Sequence, residues 1–599
     1  MLDRVKKKLA GWKANLLSMA GRLVLIQSSS STIPAHVMQN VLLPNKILEG
    51  IDRVNRNFLW GSTESTRKMH WVNWHKVTKP KELGGLGLQS AKGRNTALLA
   101  KLNWRFHTKN DSQWARVLRL KYCTRLRVES RKDSRLPCSP TWRSMIKGEE
   151  VFQNGVKWIP GHDSSLNFWS DRWLNSGPIR HLIHGPLPRD IVNLRIKDVA
   201  APYGWDWSVI PFDLPDNLKA EIQAIPTPIL TRGIDKIAWS PSPKGTFDLK
   251  SAYCFAIDPL KTEMFDGKWI WKLNTLPRIQ MFVWKCMHGS IGVKECLLGR
   301  GINLDPTCPL CHLEAESISH ALRDCICIKP IWAQLHRQAL NPSFFTQSTR
   351  EWLLSNCHDK TSYMADLLPW NSIFLFAIWI IWKQRNLLVF KNKGINPNIV
   401  QEIIMQSNEF VHCAGRWKHR KQGVVKRICW GKPEMGWLKL NTDGAAKGVL
   451  GSAGGGGVVR DENGNWVIGF SRRLGKASSF LAELWALRDG LLLCQQLNSP
   501  KIIVELDAKS LVDAFNNPSY ANTVISPLFE DCRQLLLQLP HCRIKHIFRE
   551  ANGCADRLAN IGCVQAIDFT VYSSPPVDVL CFVEADSHGV CTSRICPAG

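Results

Sequence analysis

Leu438-Lys439-Leu440-Asn441-Thr442-Asp443-Gly444-Ala445 is the stretch on which the reading of this 599-residue chain turns. Apolar and polar residues alternate up to Thr442, the period of a half-buried strand, and a glycine follows the acid. Asp443 is therefore expected at the centre or end of a strand. Downstream, Phe480, Leu484, Leu487 and Leu491 recur at helical spacing, which sets Glu483 beside the buried face of a helix. The run Ile502-Ile503-Val504-Glu505-Leu506 reads as a parallel strand between helices. It delivers Asp507 at its C-terminal end, where open α/β sheets place ligands. Asp556 opens the last helical pattern, in Arg549-Glu550-Ala551-Asn552-Gly553-Cys554-Ala555-Asp556-Arg557-Leu558-Ala559.

Clustered carboxylates are hard oxygen ligands suited to Mg²⁺ or Mn²⁺. Two such ions about 3.5 to 4 Å apart can clamp the attacking and leaving oxygens of an in-line displacement. A single acid at a strand end is as readily a solvated cap or turn former, so only the four in order carry weight. With Val458-Val459-Arg460-Asp461 behind a glycine-rich hairpin, Ala482-Glu483-Leu484 and Glu505-Leu506-Asp507, the whole segment 437–566 resembles the type 1 ribonuclease H domain of plant LINE-type (non-LTR) retrotransposons. The resemblance implies an α/β fold, a mixed five-stranded sheet flanked by helices. It also implies that Asp443, Glu483, Asp507 and Asp556 are the catalytic, Mg²⁺-binding carboxylates. The reaction implied is endonucleolytic cleavage of the RNA strand of an RNA/DNA hybrid, leaving a 5′-phosphate and a 3′-hydroxyl. Arg549 or His546 could assist product departure or simply pair with phosphate. The rival reading is a nucleic-acid-binding relic whose hydrolase no longer turns over.

The net charge of +28 implies a polyanionic partner. Residues 437–566 carry 14 lysines and arginines against 12 acids, whereas residues 1–130 carry 24 against 7, so the phosphate-binding surface is expected mainly in the N-terminal part. No apolar signal segment opens the chain, since Arg4, Lys6, Lys7 and Lys8 interrupt it. A reducing compartment is expected, nuclear or cytoplasmic with the nucleus favoured by the resemblance, and the twenty cysteines are expected to be free or metal-bound. Ile373 to Trp382 falls short of the roughly 20 apolar residues of a bilayer span and reads as a core helix; no membrane partner is expected.

Residues 1–30 read as a basic amphipathic helix, for which a membrane-surface helix is one reading. With Gly11-Trp12-Lys13, Leu17-Ser18-Met19-Ala20-Gly21-Arg22 and Ile33-Pro34, they resemble the segment that follows the polymerase core in the same retrotransposon proteins. Phe58-Leu59-Trp60-Gly61, Trp71-Val72-Asn73-Trp74, Gly84-Gly85-Leu86-Gly87-Leu88 and Asn95-Thr96-Ala97-Leu98-Leu99 continue the likeness. No Tyr-x-Asp-Asp occurs, so no polymerase activity is expected. The aromatics of residues 140–260, among them Trp142, Trp158, Trp169, Trp173 and Trp239, read as core rather than base-stacking surface.

A second chemical site lies at Cys308-Pro309-Leu310-Cys311, His320 and Cys325. The spacing Cys-x2-Cys-x8-His-x4-Cys supplies a thiolate knuckle and two further ligands for a closed, tetrahedral, structural Zn²⁺. It resembles the zinc-binding domain of reverse transcriptases in this family. His312 and Cys327 lie near enough to permute the set. The expected organisation is a basic polymerase remnant (1–130), a tryptophan-rich connection (131–250), a zinc-binding module (251–340), a helical and basic linker (341–436), the hydrolase (437–566) and a tail (567–599) without functional reading. Gly454 to Gly457 are expected at a strand edge and turn rather than in a phosphate cradle.

Overall fold

A computed structural model describes residues 2–9, 16–63, 65–109, 111–123, 138–201, 204–257, 265–335, 343–363, 368–415, 423–448, 451–498 and 500–597. Gly11, Trp12, Lys13 and the Lys/Arg-rich stretch 416–422 lie outside them. The chain forms two compact units: Met1–Arg105, Asp111–Val151 and Ala252–Arg420 make one, and Phe106–Asn110, Phe152–Ser251 and Lys421–Gly599 the other.

The first unit is mainly helical, and a large core runs through much of it. That core joins Leu23, Ile26, Leu59 and Trp60 to helix Pro277–Met287, to Cys308 and Cys325, and to helix Trp370–Lys391. The stretches expected as polymerase remnant, zinc module and helical linker thus share one interior. Trp370–Lys391 has the length and apolarity to cross a bilayer, yet Ile373, Phe374, Ile378, Ile380 and Ile381 are buried in this core. Residues 1–30 do not form one helix. Leu2–Leu9 ends before Ser18, whose hydroxyl accepts from the Gly21 N–H and starts a new helix, Met19–Leu25.

The second unit holds the sheet. Strands β1 (Leu438–Ala446), β2 (Ser452–Arg460) and β3 (Trp466–Lys476) form an antiparallel meander, followed by helix α1 (Ser479–Gln496) and strand β4 (Lys501–Leu506). Helices α2 (Lys509–Phe515) and α3 (Ser526–Gln538), strand β5 (His541–His546), helix α4 (Gly553–Val564) and strand β6 (Phe569–Tyr572) complete it. The strand order is β5-β4-β1-β2-β3-β6, with β4 parallel to both its neighbours. The five expected strands are present, and β6, from beyond residue 566, adds a sixth along the edge of β3.

The glycine run occupies the interior of β2, not a strand edge. A Cβ on Gly456 would lie 2.3 Å from the Ala559 nitrogen and one on Gly454 2.4 Å from the Cys563 nitrogen, so these two glycines let α4 press on the sheet, while Gly455 faces Ala486 of α1. Gly444 plays the same part for α1, since a Cβ there would lie 2.1 Å from the Glu483 nitrogen.

From Phe152 on, the tryptophan-rich stretch belongs to this unit rather than connecting domains, while Trp142 lies in the first unit. Phe168, Trp169 and Trp173 are fully buried in its own core. The segment after that core docks on α1 and α3. Asp531, wholly buried, accepts the N–H groups of Ile229, Leu230 and Thr231 and the Thr231 hydroxyl, while Arg488 donates to the Thr227 carbonyl. The tail also has structural work. Thr592–Pro597 pairs antiparallel with Gly423–Ile428, and beside that ladder Cys429 and Cys591 are disulfide-bonded, so not every cysteine outside the zinc motif is a free thiol.

Candidate active site and metal centre

Strand register assembles the carboxylates. Leu506 on β4 pairs with Thr442 on β1, so the next residues, Asp507 and Asp443, emerge side by side. The close approach of α1 at Gly444 brings in Glu483 from above the sheet. One carboxylate oxygen from each of Asp443, Glu483 and Asp507 lies within 4.8 Å of the others. Asp443 and Glu483 are buried and Asp507 is half-buried.

Burial and the negative charges of Asp507 and Asp556 push the Asp443 carboxyl up to about 7. Burial, then Asp443 and Asp507, hold Glu483 well above the usual carboxylate range, and burial raises Asp507 as well. Glu483 Oε2 and Asp507 Oδ1 are buried without a hydrogen-bond partner. Acceptors left bare among like charges fit a divalent cation, which would supply what the protein withholds.

Asp556 stands apart from this trio. In the first turn of α4, its Oδ1 accepts from Arg549 Nη2 at 2.8 Å and its Oδ2 from Asn560 Nδ2 at 3.1 Å. His546 ends β5 beside Leu506, exposed, its ring 5.7 Å from Phe548. Of the two basic candidates, Arg549 is thus the one joined to a carboxylate. Sequence reading passed over Asn552, although Arg-Glu-Ala-Asn contains it. Its buried amide donates to the Thr442 carbonyl at 3.0 Å and ties the Arg549 loop to β1. It also passed over the tail, where Arg594 grips Glu550 with contacts of 2.8 and 2.9 Å, and Asp586 receives the buried Arg460 at 2.6 Å.

In the other unit, Cys308, Cys311, His320 and Cys325 converge, their ligand atoms within 4.8 Å of one another. Cys311 Sγ lies 3.4 Å from His320 Nε2, and Cys308 Sγ lies 4.0 Å from Cys325 Sγ. The hydrogen bond shared by Cys308 and Cys325 holds the Cys308 thiol down to about 4 and pushes the Cys325 thiol up. Glu314 sits 3.0 Å from His320 Nδ1, an arrangement that leaves Nε2 facing the thiolates, as a zinc-ligating imidazole requires. The chain around His320–Asp324 is a turn of π-helix. Cys327 instead donates to the Leu310 carbonyl, and His312 takes a left-handed backbone at the knuckle, so neither enters the cluster. Behind it, wholly buried Glu316 forms a bidentate pair with Arg385 at 2.6 and 2.5 Å and accepts from the Lys294 N–H.

Two family models match, one described as reverse transcriptase-like over residues 441–562 and one as zinc-binding in reverse transcriptase over residues 247–332. A protein of Arabidopsis thaliana named "Putative ribonuclease H protein" is 34% identical, over 98% of this chain and 96% of its own length. The chain belongs to the plant retrotransposon ribonuclease H family. An uncharacterized mitochondrial protein of the same plant is 32% identical over 24% of this chain and 92% of its own length. Among solved structures, ribonuclease H1 of Halobacterium salinarum is 25% identical over 21% of this chain and 96% of its own, with a TM-score of 0.20. In this ribonuclease H-type chain the hydrolase-like domain is the one that carries the carboxylate trio, and the reverse-transcriptase zinc-binding segment is the one that carries the Cys/His cluster.

Proposed function

We propose that this chain is a divalent-cation-dependent endoribonuclease that cuts the RNA strand of RNA/DNA hybrids, with a separate structural zinc. The carboxylate trio with its bare, buried oxygens carries this reading. Asp443, Glu483 and Asp507 would hold Mg²⁺ or Mn²⁺, with Asp556 joining from the edge. Bound there, two such ions supply an activated water and charge neutralisation at the scissile phosphate. The chain's own part is geometric. β1 and β4 present Asp443 and Asp507 at fixed separation, α1 closes the site with Glu483, and the Asn552 tie holds the Arg549 loop where a phosphate can meet a guanidinium. RNA would be told from DNA by its 2′-hydroxyl, which only one strand of the hybrid offers. Cys308, Cys311, His320 and Cys325 would complete a zinc coordination sphere with no open position, hence a structural one.

The test is cleavage of an end-labelled RNA/DNA duplex by the full chain with Mg²⁺ and with chelator, beside Asp443→Asn. Activity that needs Mg²⁺ and is lost in Asp443→Asn while hybrid binding persists is expected. Activity surviving Asp443→Asn would overturn the site. A chain that binds hybrid and never cuts it would be the nucleic-acid-binding relic.

A further inference from the structure

The helical unit contains a cavity of about 370 Å³ that the hydrolase reading does not use, within the size range of ligand pockets, about 300 to 1,000 Å³. One wall is aromatic: Phe282 packs against Trp379 and Trp382 with ring centroids at 5.5 and 5.8 Å, and Trp71 also lines the cavity. Phe390 stands at the lining with 77% of its surface exposed. Between these rings come Arg278, Lys285 and Asn386. Arg385 also lines the cavity, but its guanidinium is taken by Glu316. Lys285 has no carboxylate partner among the described residues. Among the described residues its ammonium meets only the face of the Trp60 ring, 6.0 Å away, and burial lowers its pKa. A half-buried ammonium at the lining, with no carboxylate paired to it among the described residues, is a place for a ligand's negative charge.

We propose that this cavity takes an unpaired nucleotide of a single-stranded nucleic acid, the base against Trp379 and the phosphate at Lys285 and Arg278. Aromatic faces beside cationic groups bind strands in this way, because every base has a π-face and every linkage a charge. A base within a duplex is stacked on both sides and offers these rings no free face, so the ligand is unpaired. A strand is favoured over a free nucleotide by two features. Phe390 offers a second face at the surface for a neighbouring base, and the chain's basic excess, 24 lysines and arginines against 7 acids in residues 1–130, falls largely in this unit, where further phosphates would be met. Nothing in this proposal depends on the hydrolase being active.

The experiment is fluorescence anisotropy of labelled oligo(dT) of about twelve nucleotides on the full chain, from about 50 to 200 mM salt. A blunt DNA duplex and thymidine monophosphate serve as parallel probes. Phe390→Ser, at an exposed position that cannot unfold the core, and Trp379→Leu should each weaken oligo(dT) about five- to a hundredfold. Lys285→Met should lower the slope of log affinity against log salt by about 0.7, one single-strand phosphate contact. Duplex affinity should be unchanged in all three. Oligo(dT) affinity unaltered by Phe390→Ser, an equal loss for the duplex, or monophosphate binding as tight as the oligonucleotide would each overturn the proposal.

Discussion

Asp443→Asn should stabilise the metal-free protein while destroying the activity proposed for it. In the folded chain the Asp443 carboxyl is pushed up to about 7, against about 3.8 when unfolded, by burial and by the negative charges of Asp507 and Asp556. The folded state therefore binds a proton that the unfolded state has released. Stability conferred by this group is intact below about pH 4, declines as pH rises, and is fully lost above about pH 7. A difference of about three units at about 1.36 kcal/mol per unit makes the ionised carboxylate a burden of roughly 4 kcal/mol at pH 8. Asparagine keeps the shape and removes the charge, and it relieves repulsion on Glu483 and Asp507 as well. The assay is thermal unfolding of the hydrolase-like domain's transition in EDTA at pH 5.5 and pH 8, for wild type and variant, then in Mg²⁺. Wild type should lose stability between the two pH values and recover it in Mg²⁺, whereas Asp443→Asn should be the more stable protein at pH 8 in EDTA and gain less from Mg²⁺. A variant less stable than wild type at pH 8, or a wild type indifferent to both pH and Mg²⁺, would refute the reasoning.

Freshly purified chain should hold one zinc by elemental analysis, and Cys308→Ser should lose it. Because Cys308 and Cys325 lie in the core shared with Leu59, Trp284 and Phe374, the loss should loosen the whole helical unit in hydrogen exchange, beyond the knuckle itself. Arg385→Met leaves Glu316 buried and unpaired, so chemical denaturation should show a loss of about 3 to 5 kcal/mol, and Glu316→Gln in the same chain should restore part of it. Replacing the exposed Lys6, Lys7 and Lys8 by glutamine should weaken hybrid binding irrespective of base sequence, flattening the salt dependence by up to about 0.9 per lost duplex contact. An unchanged slope would show that those lysines face solvent idly.

The local features were legible in the sequence because short-range physics writes them there. Alternation sets β1, a β-branched run sets β4, helical spacing sets α1, and a Cys-x2-Cys knuckle can be recognised within four residues. Their order along the chain carries the family resemblance, and it was that resemblance, not the local patterns, that implied the mixed sheet. Contact between the acids was another matter. Register brings Asp507 beside Asp443, and a glycine that admits α1 adds Glu483, while Asp556 is drawn to Arg549 and Asn560 instead. The choice of Cys325 over Cys327 depends likewise on which thiol the π-turn after His320 points inward. Nor could composition reveal that the tryptophan-rich stretch docks on Asp531, that the tail grips Glu550, or that one core serves residues as distant as Leu23 and Ile403. Those contacts join residues tens to hundreds of positions apart, where no periodicity operates and only three-dimensional packing decides which surfaces meet.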